Sequence, residues 1–179
     1  MSEPFNPTKH IRSLMDWPKK GVIFRDISPL LADAAHFRQI IDLLAQRHFA
    51  AAIDTVAAID ARGFIIGAPV AYALGVAFVP IRKKGKLPGP VISQPYALEY
   101  GESELELQTD CLRPGVRVLL IDDLIATGGT LVAAVGLLRR LEAKILEVNA
   151  IIDLPDLGGS AKLRQQGMVV HTLCSFAGA

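Results

Sequence analysis

Apolar and polar positions alternate along this chain in two distinct rhythms. Between residues 34 and 48, Phe37, Ile40, Ile41 and Leu44 recur at helical spacing, and Arg38, Gln39 and Asp42 fall on the other side. That is an amphipathic helix, Ala34 to His48, with Asp33 placed to cap it. Upstream, Thr8 is placed to cap a short helix from Lys9 to Leu14. Ile53 to Ile59 is a largely apolar run and reads as a strand. Gly63 to Ile81 carries no charge and has about the length of a bilayer span. Gly67, Pro69, Gly75 and Pro80 interrupt it, so it is read as a buried helix stopped near Gly75 and a buried strand from Val76 to Ile81.

The rhythm then breaks. Arg82 to Lys86 is basic, and Pro88, Gly89 and Pro90 oppose regular structure. Leu105 and Leu107 alternate with Glu104 and Glu106, the pattern of a half-exposed strand. This region is expected to be a loop or hairpin outside the main sheet. Val116 to Ile121 is continuously apolar, as in a strand covered on both faces. Gly129 to Leu141 is helical, with Leu131, Val135 and Leu138 on one side. Ile145 to Ile152 is a strand, Ser160 to Gln166 a short helix, and Val169 to Cys174 a last strand. Strands alternating with helices imply an α/β fold: a single domain, residues 1–179, with a mainly parallel twisted sheet flanked by helices. Ligands of such folds sit at the carboxyl ends of the strands.

Composition narrows the function. With 51% hydrophobic and 21% charged residues, 179 residues suffice for a packed globular core. A formal net charge of +1 argues against nucleic acid as a partner, since that partner calls for a basic patch. Cys111 and Cys174 form no metal or redox motif and are expected to be reduced, mostly buried thiols of a cytosolic protein. The polar, proline-containing start, MSEPFNPTKH, is no secretory signal, and no membrane association is expected. His10, His36, His48 and His171 are scattered, and no role is assigned to them.

The sharpest chemical signal is VLLIDDLIATGGT, Val118 to Thr130. A buried strand ends in two adjacent acids, Asp122 and Asp123. A turn of small and hydroxyl residues follows, and then a helix begins. Ala126, Thr127, Gly128, Gly129 and Thr130 offer free amides at a helix N-terminus, where the helix dipole favours an anion and glycine permits close approach. The two carboxylates would repel phosphate, but they suit ribose hydroxyls or a hydrated metal. A sugar phosphate satisfies both halves. The lysine of a P-loop and the G-x-G-x-x-G of a dinucleotide site are both missing. A tight turn with one acid as a helix cap explains less of the motif.

This motif resembles the phosphoribosyl pyrophosphate (PRPP) signature of the type I phosphoribosyltransferases. GVIFRDISPLL (21–31), ARGFIIGAPVA (61–71), RKKGKLPGP (82–90), YALEYG (96–101) and DLPDLGG (153–159) extend the resemblance over nearly the whole chain, to the adenine phosphoribosyltransferase family within that class. The resemblance implies transfer of the phosphoribosyl group from PRPP to adenine, giving AMP and pyrophosphate in purine salvage. It implies Mg2+ carried with PRPP, reaching Asp122 and Asp123 only through water, and a homodimer. Adenine is expected against the Ile23–Phe24–Arg25 backbone, with Leu154 on its other face. Plain core packing is the alternative for these side chains.

Arg62 is expected in a pyrophosphate loop, with a non-proline cis peptide near Asp60–Ala61–Arg62. Arg82 and Lys86, in the cationic run with Lys83 and Lys84, are expected to hold pyrophosphate. A hood over roughly 83–102 would exclude water, and Glu99 within it is the candidate general base. Taken alone, that cationic run and Glu99 also suit a solvated loop. Two other readings stand beside this one: the same transfer to another purine base, and a PRPP-sensing regulator that has lost catalysis.

Overall fold

The computed structural model describes residues 5–97 and 102–178. The chain enters through a single 3-10 turn, Pro7–His10, capped by the Asn6 side chain, which accepts from the Thr8 amide at 3.0 Å. The short helix expected from Lys9 to Leu14 is therefore not formed. Its second half is β1, Arg12–Met15, which pairs antiparallel with β2, Ile23–Asp26. Two short helices follow, α1 (Ser28–Ala32) and α2 (Ala34–Gln46). Asp33 caps α2 as anticipated, its carboxylate accepting from the amides of Ala35 and His36 at 2.9 Å.

The core of the fold is a run of strand–helix units. β3 (Thr55–Ile59) leads into α3 (Arg62–Leu74), which ends on Gly75 in the left-handed conformation (φ 67°). β4 (Ala77–Lys83) follows, then a hairpin of β5 (Val91–Ala97) and β6 (Glu102–Gln108). The nominal bilayer-length stretch is thus α3 plus β4, and no helix among the described residues is long and apolar enough to cross a membrane. β7 (Arg117–Ile121), the two-residue β8 (Leu124–Ile125), α4 (Gly129–Arg140), β9 (Lys144–Asp153), α5 (Gly159–Gln165) and β10 (Val170–Ser175) complete the chain.

β1 and β2 form a two-stranded sheet of their own; the remaining strands form one mixed, mostly parallel sheet in the order β10-β9-β7-β3-β4-β6-β5, with β8 beside β9. β10 through β4 run parallel, and β6 then pairs antiparallel with β4 through Arg82–Glu106 and Lys83–Leu105. The hairpin expected outside the main sheet is therefore continuous with it. Leu105 and Leu107 are fully buried, which is why that strand joins the core and does not stand in solvent.

Alternation in β3 and β7 feeds two cores. Ala57, Ile59, Val118 and Leu120 face α4 and α5, while Val56, Ala58, Leu119 and Ile121 face α1, α2 and α3. Gly67 lets α3 lie close on the sheet. A Cβ there would fall 2.5 Å from the Ala58 Cβ, inside contact distance. These layers fix the carboxyl ends of β3, β4 and β7 side by side.

Candidate active site

A cleft of about 460 Å3 opens where those carboxyl ends meet. Ile59 to Arg62 line it from the end of β3, Lys83 from β4, Tyr96 from the hairpin, and Asp122 to Leu131 from the end of β7 through the start of α4. The Asp60–Ala61 peptide is cis, within the segment where one was expected.

The two acids differ in environment. The Asp123 carboxylate is buried, and Arg62 Nε stands 2.5 Å from its Oδ2. Asp122 Oδ1 accepts from the Asp123 amide at 2.9 Å. Burial pushes the Asp122 carboxyl well above the usual range, and the neighbouring Asp123 charge adds to this, partly offset by Arg62. Gly63 makes the arrangement possible: a Cβ there would come within 3.0 Å of Asp122 Oδ1 and 3.2 Å of the Ile121 carbonyl. The start of α3 can thus lie directly against the end of β7.

Beyond the acids the chain forms an open helix start. Gly128 is the N-cap of α4 in the left-handed conformation (φ 81°), and no side chain caps the helix. Ala126 to Thr130 all line the cleft, so the first amides of α4 and its dipole lie beside the carboxylate pair.

The cationic residues divide. Neighbouring positions of a strand point to opposite faces, and on β4 it is Lys83 that lines the cleft. Arg82 instead donates from Nε to Asp60 Oδ2 at 3.0 Å and from Nη1 to the Lys86 carbonyl at 3.0 Å. It braces the Asp60 loop and the turn that follows β4. Neither Arg82 nor Lys86 lines the cleft. Lys84 pairs with Glu104 at 2.8 Å. Lys83, named only as part of the cationic run, and Asp60 and Tyr96, named only within their segments, are cleft residues to which the sequence reading assigns no binding role of their own. The strand alternation between Arg82 and Lys83 was the available signal for the lysine.

The segments expected to hold a base lie around the same opening. Phe24 of β2 has the Arg62 guanidinium 5.4 Å from its ring centroid and Trp17 edge-on at 4.3 Å. Leu154 is buried, and its amide donates to the carbonyl of Ile125, a cleft residue, at 2.9 Å. The Arg25 side chain turns away to the C-terminal segment, donating to Ser13 Oγ at 2.6 Å and to the Ala177 carbonyl at 3.0 Å. Ile23, Phe24, Arg25 and Leu154 do not line the cleft itself. Glu99 lies outside the described residues.

This geometry can hold a sugar between two anion-binding ends. Residues 27–167 match the phosphoribosyl transferase domain family. The adenine phosphoribosyltransferase of Marinobacter nauticus is 55% identical over 170 residues, 95% of this chain and 94% of that protein. The crystal structure of adenine phosphoribosyltransferase from Thermoanaerobacter pseudethanolicus superposes with a TM-score of 0.90 at 43% identity, covering 95% of this chain and 98% of that one. That of the Saccharomyces cerevisiae enzyme, complexed with an imino-altritol bisphosphate and adenine, gives 0.88 at 37% identity, over 93% and 96% of the two chains. With that identity over nearly its full length, this chain belongs to the phosphoribosyl transferase domain family and, within it, to the adenine phosphoribosyltransferases.

Proposed function

We propose that this cleft takes the phosphoribosyl group of PRPP and joins it to adenine, forming AMP and releasing pyrophosphate. The observation that carries the reading is the set of groups that share one cleft. A carboxylate pair, Asp122 and Asp123, lines it together with the open helix start of 126–130 and the cations Arg62 and Lys83, and Arg62 is paired with Asp123. PRPP calls for the same set: a 5′-phosphate, two ribose hydroxyls and a pyrophosphate. The names of the relatives and the adenine held by the yeast protein support adenine as the base.

The residues then take these roles. The amides of Ala126 to Thr130 hold the 5′-phosphate, and Asp122 and Asp123 accept from the ribose hydroxyls. Arg62 and Lys83 stabilise charge on the departing pyrophosphate, with Arg82 fixing the loop and Lys86 closing on it from the turn. Positive charge develops at the ribose C1 as pyrophosphate leaves, and adenine attacks from the opposite face with inversion. Adenine is held by the Ile23–Phe24–Arg25 backbone and covered by Leu154, and Glu99 takes its ring proton.

Mg2+ enters as part of the substrate, bound to PRPP. Two adjacent carboxylates offer the oxygen donors that such a hard cation prefers. A hydrated divalent ion near Asp122 would favour the ionised form that burial opposes. The chain acts as one domain, in the cytoplasm, as a homodimer. Sedimentation at micromolar concentration tests the last point, and a monomer overturns it.

The deciding assay mixes the protein with adenine, PRPP and Mg2+ and follows AMP. AMP forms with the wild type and is lost in the Asp122→Ala/Asp123→Ala double variant, while guanine and hypoxanthine compete poorly. Preferred turnover of guanine, or PRPP binding without AMP, refutes the assignment.

A further inference from the structure

The segment 153–159 carries more than Leu154. It delivers Gly159, the first residue of α5, onto the outside of the 126–130 loop. The Gly159 amide donates to the Ala126 carbonyl at 3.1 Å. A Cβ on Gly159 would lie 2.3 Å from that carbonyl oxygen and 2.6 Å from the Gly128 nitrogen. A Cβ on Gly128 would in turn lie 2.8 Å from the Gly159 Cα. The two backbones touch, with no room for a side chain on either. One turn further along α5, Lys162 Nζ donates to the Thr127 carbonyl at 3.1 Å.

Two consecutive carbonyls of the loop are thus drawn toward α5. In a trans peptide the C=O and N–H point in opposite directions. Pinning Ala126 O and Thr127 O on the α5 side therefore turns the amides of Thr127 and Gly128 away from it, into the cleft that these residues line. Without the pins either peptide can flip, and a flipped peptide presents a carbonyl oxygen to an anion. Successive amides facing one way are what makes such a loop an anion cradle.

We propose that Gly159 and Lys162 are positioning residues of the phosphate subsite: they touch no substrate atom and set the direction of the amides that do. This rests on the reading of residues 126–130 as the 5′-phosphate site. The lysine contributes through the Thr127 carbonyl. The glycine contributes by the absence of a side chain.

The test compares dissociation constants for AMP and adenosine, which differ only in the 5′-phosphate, in the wild type, Lys162→Met, Lys162→Arg and Gly159→Ala. The wild type binds AMP far more tightly than adenosine. Lys162→Met, at an exposed position, weakens AMP about tenfold, as loss of one charged-donor hydrogen bond does. It leaves adenosine unchanged, and Lys162→Arg restores AMP. Gly159→Ala loses more, since it moves the loop itself, and again spares adenosine. If the wild type binds AMP and adenosine alike, the phosphate site is elsewhere and the underlying reading fails. If the wild type discriminates and both Lys162→Met and Gly159→Ala still do, the positioning proposal fails alone. Loss in Lys162→Met with none in Gly159→Ala means that the lysine meets the phosphate directly, which also overturns it. Should Gly159→Ala not fold, an unchanged AMP-to-adenosine ratio in Lys162→Met is sufficient refutation.

Discussion

Replacing Asp122 by asparagine should make the protein more stable and less active at once. The Asp122 carboxyl is held above the usual range first by burial and then by the Asp123 charge. Its ionised form is therefore less favourable in the folded chain than in the unfolded one. The sign follows from proton linkage: between the ordinary carboxylate range and the raised folded value, the folded state binds more protons, so stability falls as pH rises. Above that window the cost is fully present. Asparagine removes it while its carbonyl can still accept from the Asp123 amide, as Asp122 Oδ1 does at 2.9 Å. The carboxylate retains some exposure to the cleft and the attraction of Arg62, which reduces the gain to about 1–2 kcal/mol. For a chain of this size that is a rise in Tm of roughly 3–6 °C. With Asp122 in the ribose-binding role proposed above, the same substitution should lower kcat/KM for PRPP by about ten- to a hundredfold, as weakening one charged hydrogen bond does. Thermal unfolding at pH 8 and pH 5, with AMP formation measured alongside, checks both effects. The Tm gain is larger at pH 8 than at pH 5. A Tm loss at pH 8, or a gain that grows toward pH 5, refutes the reasoning.

Other substitutions probe separate parts of the structure. Lys83→Met should raise KM for PRPP and weaken product inhibition by pyrophosphate about tenfold, with KM for adenine unchanged; initial-rate kinetics with each substrate varied decides this. Gly67→Ala, whose Cβ would lie 2.5 Å from the Ala58 Cβ, should lower stability by about 1–3 kcal/mol in denaturant titration. At Glu147, burial would raise the carboxyl, but the Arg47 guanidinium, with Nη2 at 2.7 Å, outweighs it and holds the pKa below its usual value. Glu147→Gln should therefore unfold at lower temperature than the wild type at pH 7, and the gap should narrow as pH falls below the ordinary carboxylate range.

Where a pattern is local, the sequence carried it. The Asp33 cap and the face of α2 need only residues within one helix. The strand–acids–glycines order of β7 and α4 likewise reads from 13 adjacent positions, 118–130. Structure that depends on a distant partner did not show. β1 and β2 are four residues each, too short for alternation to register, and exist because they pair with one another. Arg12 to Leu14 as strand in place of helix follows from that pairing, and the turn before it is capped by Asn6 in place of Thr8. The alternation of β6 is legible and leaves a loop or hairpin open, but its edge contact with β4 through Glu106 and Leu105 is not, because Arg82 and Lys83 look like solvated charges until a partner strand is supplied. The same blind spot favoured Arg82 over Lys83 as a cleft residue. Alternation along β4 separates the two cations, and the pairing of Arg82 with Asp60 shows which of them is already engaged.

The most direct test is a crystal structure of this protein with AMP. The account predicts the phosphate on the amides of residues 126–130, both ribose hydroxyls on Asp122 and Asp123, and the adenine between the Ile23–Arg25 backbone and Leu154. A phosphate bound instead at Arg62 and Lys83, or a ribose that makes no contact with either aspartate, would contradict it.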